Sequence, residues 1–227
     1  MKEKIKIKKQ WTMAIDIDAQ KGFTSICPDE LPVKNGDRIV PELNANAEFA
    51  SLRIGSKDWH PTTAVWIADE ENPIFSEING HGLNVDIRWP AHCLGGTKGA
   101  ELLDGLPEPN EYDFFIWKGM EPNLHPYGIF YHDLEEQLST GMMEYLLANI
   151  EIDTFLVGGL ATDYCVYETT KQLLKFLEDS GEFDCRVILN LKATKGVDSA
   201  STAKALEHLK GLGVIFIKDT SELELDE

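Results

Sequence analysis

Six short apolar runs recur along the chain: TMAIDID (12–18), SLRIGSKD (51–58), YDFFIWK (112–118), DTFLVGG (153–159), CRVILNL (185–191) and GVIFIK (213–218). Their length and their content of β-branched and aromatic residues predict buried strands. Between most of them the periodicity changes to that of helices, near 35–50, near 133–149, from about 163 to 180 and near 199–211. Ser199 is placed to cap the last helix, and Gly211 or Gly213 to stop it. Strand alternating with helix predicts a mainly parallel six-stranded sheet covered on both faces, a Rossmann-like arrangement in which ligands bind at the carboxyl ends of the strands. Residues that carry chemistry should therefore sit where strands end.

Residues 59–110 break the pattern. They are rich in Pro, Gly and Asn, poor in periodicity and too long for an ordinary connection, so they are expected to form a substrate-covering excursion within one domain spanning 1–227. The acidic tail SELELDE is expected to be a solvated end. With 43% hydrophobic and 26% charged residues in a chain of 227, the composition suits one large globular domain that needs no disulfide staples. Its four cysteines, Cys27, Cys93, Cys165 and Cys185, lack redox or zinc-ribbon spacing, which points to a reducing, cytoplasmic setting. The basic start MKEKIKIKKQW is not followed by the apolar segment of a signal peptide, and no apolar run is long enough to span a membrane. A formal net charge of −18 argues against nucleic acid or an anionic membrane as partner, but places no bar on a small neutral substrate.

The segment DTFLVGGLATDYCVYETTKQLL reads as strand, turn and helix, with Cys165 in the first helical turn. Unpaired N–H groups and the positive end of the dipole would favour a thiolate there, and the same N–H groups could hold an oxyanion. A small buried cysteine packing a turn is the competing reading. No histidine sits at a strand end as a Cys-His pair would require, unless His60 or His92 is recruited. TMAIDID, however, finishes at Asp16 and Asp18, and YDFFIWK finishes at Lys118. Taken singly, Asp18 is a turn or cap residue and Lys118 the point where a strand reaches water. Taken together, a carboxylate, an ammonium and a thiol at one sheet edge would shift one another's pKa values as nucleophilic catalysis needs.

A second constellation is Asp58-Trp59-His60-Pro61 with Trp89-Pro90-Ala91-His92-Cys93. Two imidazoles and a carboxylate are a common set for a catalytic divalent metal, water filling the other positions. Cys93, beside His92, is read as structural.

Five segments, DAQKGF (18–23), KDWHP (57–61), WPAHCLGGTKGAEL (89–102), WKG (117–119) and GGLATDYCV (158–166), resemble in order and spacing the nicotinamidases (pyrazinamidases) of the isochorismatase-like cysteine hydrolases. The resemblance runs from residue 12 to about 215 and implies a three-layer α/β/α sandwich. It implies hydrolysis of nicotinamide to nicotinate and ammonia through a Cys thioester, in NAD salvage. It puts Asp18, Lys118 and Cys165 at the triad positions, the amides of Ala161 and Cys165 at the oxyanion hole, and Asp58, His60 and His92 at the metal positions. Phe23, Trp89 and Tyr127 fall at the pyridine pocket, and a cis peptide is implied between Leu160 and Ala161. The implied metal is one divalent ion, zinc first, with iron and manganese as alternatives.

The chain departs from the family pattern in three places. Residues 62–88 are longer than usual and bring His81, Asp69, Glu70 and Glu71, each a possible extra ligand or a loop solvator; Gly95 stands where the family often has Gln; and MEPNLHPYGIF (120–130) replaces a shorter, more polar stretch, so that His125 and Tyr127 could reshape the pocket. These departures point to altered substrate preference or homo-oligomer packing. Another amide hydrolase of the same superfamily, acting on a carbamoyl or ureido substrate, is the alternative, and a non-catalytic binding member a more distant one.

Overall fold

A computed structural model describes residues 3–79, 84–181 and 184–226. Among these residues eight strands and four α-helices follow one another as β1 (Ile5–Ile7), β2 (Thr12–Ile17), α1 (Val40–Glu48), β3 (Leu52–Asp58), β4 (Phe114–Lys118), α2 (Met142–Ala148), β5 (Thr154–Leu160), α3 (Cys165–Asp179), β6 (Arg186–Lys195), α4 (Ser199–Gly211), β7 (Ile215–Ile217) and β8 (Leu223–Leu225). Six of the strands form one sheet in the order β4-β3-β2-β5-β6-β7, every pair parallel. All six apolar runs of the sequence lie in it.

Parallel strands are buried on both faces because their crossovers cover them. β2 and β5, at the centre, are buried at every residue. Met13, Ile15, Ile17, Phe155 and Val157 face a core closed by Met142 and Leu146 of α2, Val166 and Leu173 of α3, and Leu209 of α4. On the opposite face α1 packs against β2, β5 and β6. Gly159 allows β5 to run close against β2: with φ 131° and an added Cβ only 2.0 Å from the Ile17 carbonyl oxygen, no other residue fits. These three layers are the predicted α/β/α sandwich.

Several local expectations are corrected. The acidic tail is anchored and not only solvated: Ser221, Glu224, Leu225 and Asp226 are exposed, but β8 pairs parallel with β1, and Leu223 packs with Ile7 against Leu156 and Ile188. Leu223 is the one buried residue of β8, held by its pairing with β1. The helix near 133–149 is confined to Met142–Ala148. Upstream, the Asp133 carboxylate takes the amides of Gln137 and Leu138 at 3.0 and 2.9 Å, a local alternative to helical bonding. The cap of α4 is Asp198, whose side chain accepts from Ala200 N and Ser201 N, and Ser199 is the first helical residue. β6 runs on to Lys195 through an irregularity opposite Val157 and Gly159.

Chain order reverses between β2 and β5. β2 leads outward to β3 and β4, β5 to β6 and β7, and the crevice at such a switch point is where open α/β sheets bind ligands.

Candidate active site

Asp18 follows β2 at this switch point, Cys165 opens α3 after β5, and Lys118 ends β4. Lys118 starts two strands away from β2, a separation of roughly 9.5 Å. Its long side chain crosses the end of β3, where Asp58 is its register partner, and reaches both carboxylates: Nζ lies 2.5 Å from Asp58 Oδ1 and 3.0 Å from Asp18 Oδ2. The same ammonium is 3.2 Å from the Pro126 carbonyl and 3.6 Å from Cys165 Sγ. All four side chains are buried. Asp16, the other acidic residue of TMAIDID, is spent elsewhere, accepting from Arg53 Nε at 2.8 Å and the Tyr112 hydroxyl at 3.1 Å.

Asp18 leaves the strand with φ 45°, an uncommon conformation that aspartate tolerates better than most residues. Ser56 holds it there, donating from Oγ to Asp18 Oδ1 at 2.7 Å and accepting the Asp18 amide at 3.2 Å. Gln20 clamps the next strand end, its side-chain amide exchanging two 2.8 Å bonds with the backbone of Asp58. Sequence reasoning missed Ser56 and Gln20. Ser56 carried a usable signal, lying two residues before Asp58 in one strand and hence on the same face.

Burial raises the Asp18 carboxyl; Lys118 opposes this, Asp58 adds to it, and the result is a pKa of about 6. Asp58 feels the same burial, but Lys118 and then His60 overcome it, and the carboxyl lies below its ordinary range. Burial would discharge Lys118, yet the two carboxylates hold it well above its usual value. The Cys165 thiol is raised well above its usual value by burial, with Asp18 and Asp58 outweighing Lys118 together with it. Burial beside two carboxylates thus works against the helix N-terminus, which by itself would favour a thiolate.

Tyr164 N and Val166 N both donate to the Ala161 carbonyl at 3.1 Å, while the amides of Ala161 and Cys165 make no hydrogen bond among the described residues. The Leu160–Ala161 peptide is cis. Above Cys165 the pocket walls are aromatic, with Phe23 and Trp89 both buried and Tyr127 and Tyr164 beside them. Trp89 Nε1 donates to the Tyr127 hydroxyl at 3.1 Å, which donates in turn to Asp86 at 2.7 Å. Tyr164, edge-on to Trp89 at 4.8 Å, was not singled out from the sequence.

Three imidazoles close the pocket on the side of β3. His60 Nδ1 lies 3.0 Å from the Gly119 carbonyl and His92 Nδ1 2.7 Å from the Pro90 carbonyl. Only the N–H form of Nδ1 bonds a carbonyl, which leaves the lone pair on Nε2 of each ring, the tautomer a metal requires. Gly119, with φ 68°, makes room: an added Cβ would lie 2.3 Å from the His60 ring. Asp58 Oδ2 is 3.5 Å from His60 Nε2, so this one carboxylate faces Lys118 with one oxygen and the imidazoles with the other. Burial, then the neighbouring His60, lowers the pKa of His92 to about 3 and that of His125 well below its usual value, keeping both rings neutral. A divalent ion fits this donor set, because His60 Nε2 is buried without a hydrogen-bond partner and ring nitrogens of His60, His92 and His125 lie within 4.8 Å of one another. Of the other residues raised as ligands, Asp69 spends its carboxylate on a turn with Glu71 and Asn72, Glu70 and Glu71 are outside the cluster, and His81 lies outside the described residues.

No family model matches the chain. A nicotinamidase of Acinetobacter baylyi is 33% identical over 155 residues, covering 67% of this chain and 69% of that protein. Among solved structures, a nicotinamidase/pyrazinamidase of Acinetobacter baumanii superposes with a TM-score of 0.80 at 28% identity, over 93% of this chain and 98% of that one. A pyrazinamidase of Pyrococcus horikoshii, solved in complex with zinc, superposes with a TM-score of 0.67 at 29% identity, over 91% of this chain and 98% of that one. By fold, by the residues gathered at the switch point and by these relationships, the chain belongs to the nicotinamidase family.

Proposed function

We propose that this protein hydrolyses nicotinamide to nicotinate and ammonia in NAD salvage, in the cytoplasm, with Cys165 as nucleophile, Asp18 as general base and acid, and Lys118 as the cation between them. The observation that carries the reading is the contact of Lys118 with Asp18, Asp58 and Cys165 at the floor of an aromatic-walled pocket. Asp18, poised near pH 6, accepts the thiol proton as sulfur attacks the carboxamide carbon, and the amides of Ala161 and Cys165 hold the oxyanion. Lys118 keeps its charge throughout, so the proton arrives at Asp18 without leaving an uncompensated buried anion. On collapse the C–N bond breaks, ammonia departs with the proton from Asp18, and a thioester remains. Asp18 then deprotonates a water that attacks the thioester, and the thiolate leaves and regains its proton.

Phe23 and Trp89 flank the ring, Trp89 being oriented through Tyr127 and Asp86. Asp58, His60 and His92 would hold one divalent ion, with zinc preferred because imidazole suits it and because the Pyrococcus pyrazinamidase was solved with zinc. When bound there, such an ion offers an open coordination position that orients a ring nitrogen. The substrate class is a small neutral aromatic amide, and neither nucleic acid nor membrane enters the scheme. Among the described residues no helix is long and apolar enough to cross a membrane.

The test is ammonia release from nicotinamide and pyrazinamide beside a panel of carbamoyl and ureido amides. Turnover of the two aromatic amides alone is the expected result. Turnover confined to the panel would replace the substrate and retain the triad.

A further inference from the structure

His125 stands outside the motifs that identify the site, in the 120–130 segment where the chain departs from its family. Its ring is buried, and neither Nδ1 nor Nε2 has a hydrogen-bond partner among the described residues. Leaving a buried polar group without a partner is costly. The ring is gripped on its apolar faces, edge-on to Trp66 at 4.5 Å and stacked near Trp89 at 6.1 Å, so packing fixes where it points without satisfying either nitrogen. Two other histidines lie against it: its ring is stacked nearly parallel to that of His60 at a centroid distance of 5.3 Å and edge-on to that of His92 at 6.0 Å, with ring nitrogens of the three within 4.8 Å of one another.

The backbone around it is held from both sides. His125 N donates to the Asn84 carbonyl at 3.1 Å, and the next carbonyl, that of Pro126, takes a bond from Lys118 Nζ at 3.2 Å. A segment anchored to the catalytic lysine thus delivers an unpartnered imidazole onto His60 and His92.

We infer that His125 is a third imidazole ligand of the metal centre, which converts the two-histidine, one-carboxylate set of Asp58, His60 and His92 into a three-histidine set completed by Asp58. The inference rests on the metal reading above. Two imidazole nitrogens on one zinc at 2.0–2.1 Å lie roughly 3.4 Å apart in tetrahedral geometry. Nitrogens already within 4.8 Å of one another need move by only a fraction of that difference each. A nitrogen-rich set selects zinc, or iron, copper and nickel, over the oxygen-preferring manganese and magnesium. Four protein donors still leave a fifth position for a ring nitrogen, because zinc expands to five-coordination.

The experiment is zinc X-ray absorption on the zinc-loaded full chain, counting imidazole scatterers, combined with zinc affinity by chelator competition for the wild type and His125→Gln. The expected result is three imidazoles in the wild type, two in H125Q, and an affinity lower by at least the roughly 10- to 100-fold that loss of an outer-shell partner causes. Two imidazoles in the wild type, or an affinity unchanged in a folded H125Q, would overturn the role of His125 and leave the metal reading standing. A wild-type chain that takes up no zinc would overturn both. The wild-type count needs no variant, so the inference stays testable if H125Q fails to fold.

Discussion

The two sides of the pocket are made from different kinds of chain. The cysteine side comes from the regular sheet: Asp18 follows β2, Lys118 ends β4 and Cys165 opens the helix after β5. The imidazole side comes from loops, with His60 just past β3, His92 in the long excursion and His125 in the segment after β4. Strand ends place side chains by pleat and register, which a continuous hydrogen-bonded sheet enforces. Loop histidines need separate anchors, here the Gly119, Pro90 and Asn84 carbonyls. Asp58 is the joint, because its two carboxylate oxygens face opposite halves. A site divided in this way can keep its chemistry while its ring-binding half changes.

The comparison breaks most sharply at Cys165. Cys165→Ala should lower ammonia release by roughly 10⁴-fold or more while leaving the melting temperature and nicotinate binding near wild type. Residual turnover close to wild type, measured by coupled ammonia assay, would sink the covalent route.

Lys118→Met strikes both halves at once. It leaves Asp18 and Asp58 buried without their shared cation, and losing one partner of such a cluster costs about 3–5 kcal/mol. Denaturant unfolding should show that loss, and activity should fall with it. The pH profile sharpens the point. Asp18 must be ionised to accept the thiol proton, so kcat/KM in the wild type should fall as pH drops through about 6. Lys118 favours the ionised form, and without it the acid limb should move to higher pH. An unmoved limb would mean that another group is the base.

Removal of the metal should separate the halves kinetically. Chelation is expected to raise KM for nicotinamide by roughly 10- to 100-fold and to leave the alkylation rate of Cys165 by iodoacetamide little changed. A loss confined to kcat would tie the metal to the chemistry instead. The smallest effect is expected for Tyr127→Phe, which removes the hydroxyl linking Trp89 to Asp86 and with it about 1 kcal/mol, or about five-fold in KM. A change in kcat alone would contradict an orienting role.

Much of the site was legible in the sequence because it lies at ends of elements whose periodicity is strong. Asp18, Asp58, Lys118 and Cys165 follow or finish apolar runs, and reading those runs as parallel strands already puts them on one edge. His125 was not legible as a ligand. A lone histidine among prolines carries no periodicity, and its partners are more than 30 residues away in sequence. The surroundings of Cys165 were only half legible for a related reason: a helix N-terminus is visible in sequence, whereas complete burial beside two carboxylates, which raises the thiol, is not. The tail failed differently, since three residues are too few to display alternation and β8 exists only because β1 is there to pair with it.

The sequence by itself determined the alternation of strand and helix, the residues at the strand ends and the family to which those residues belong. Hydrophobic period and short motifs are local properties, so a linear reading reaches them. Only the tertiary structure decided that one lysine spans two carboxylates, that Asp58 is shared between triad and imidazoles, and that His125 joins His60 and His92. These are meetings of residues brought together by strand order and loop anchoring, and the distances that make them chemical do not exist until the sheet has formed.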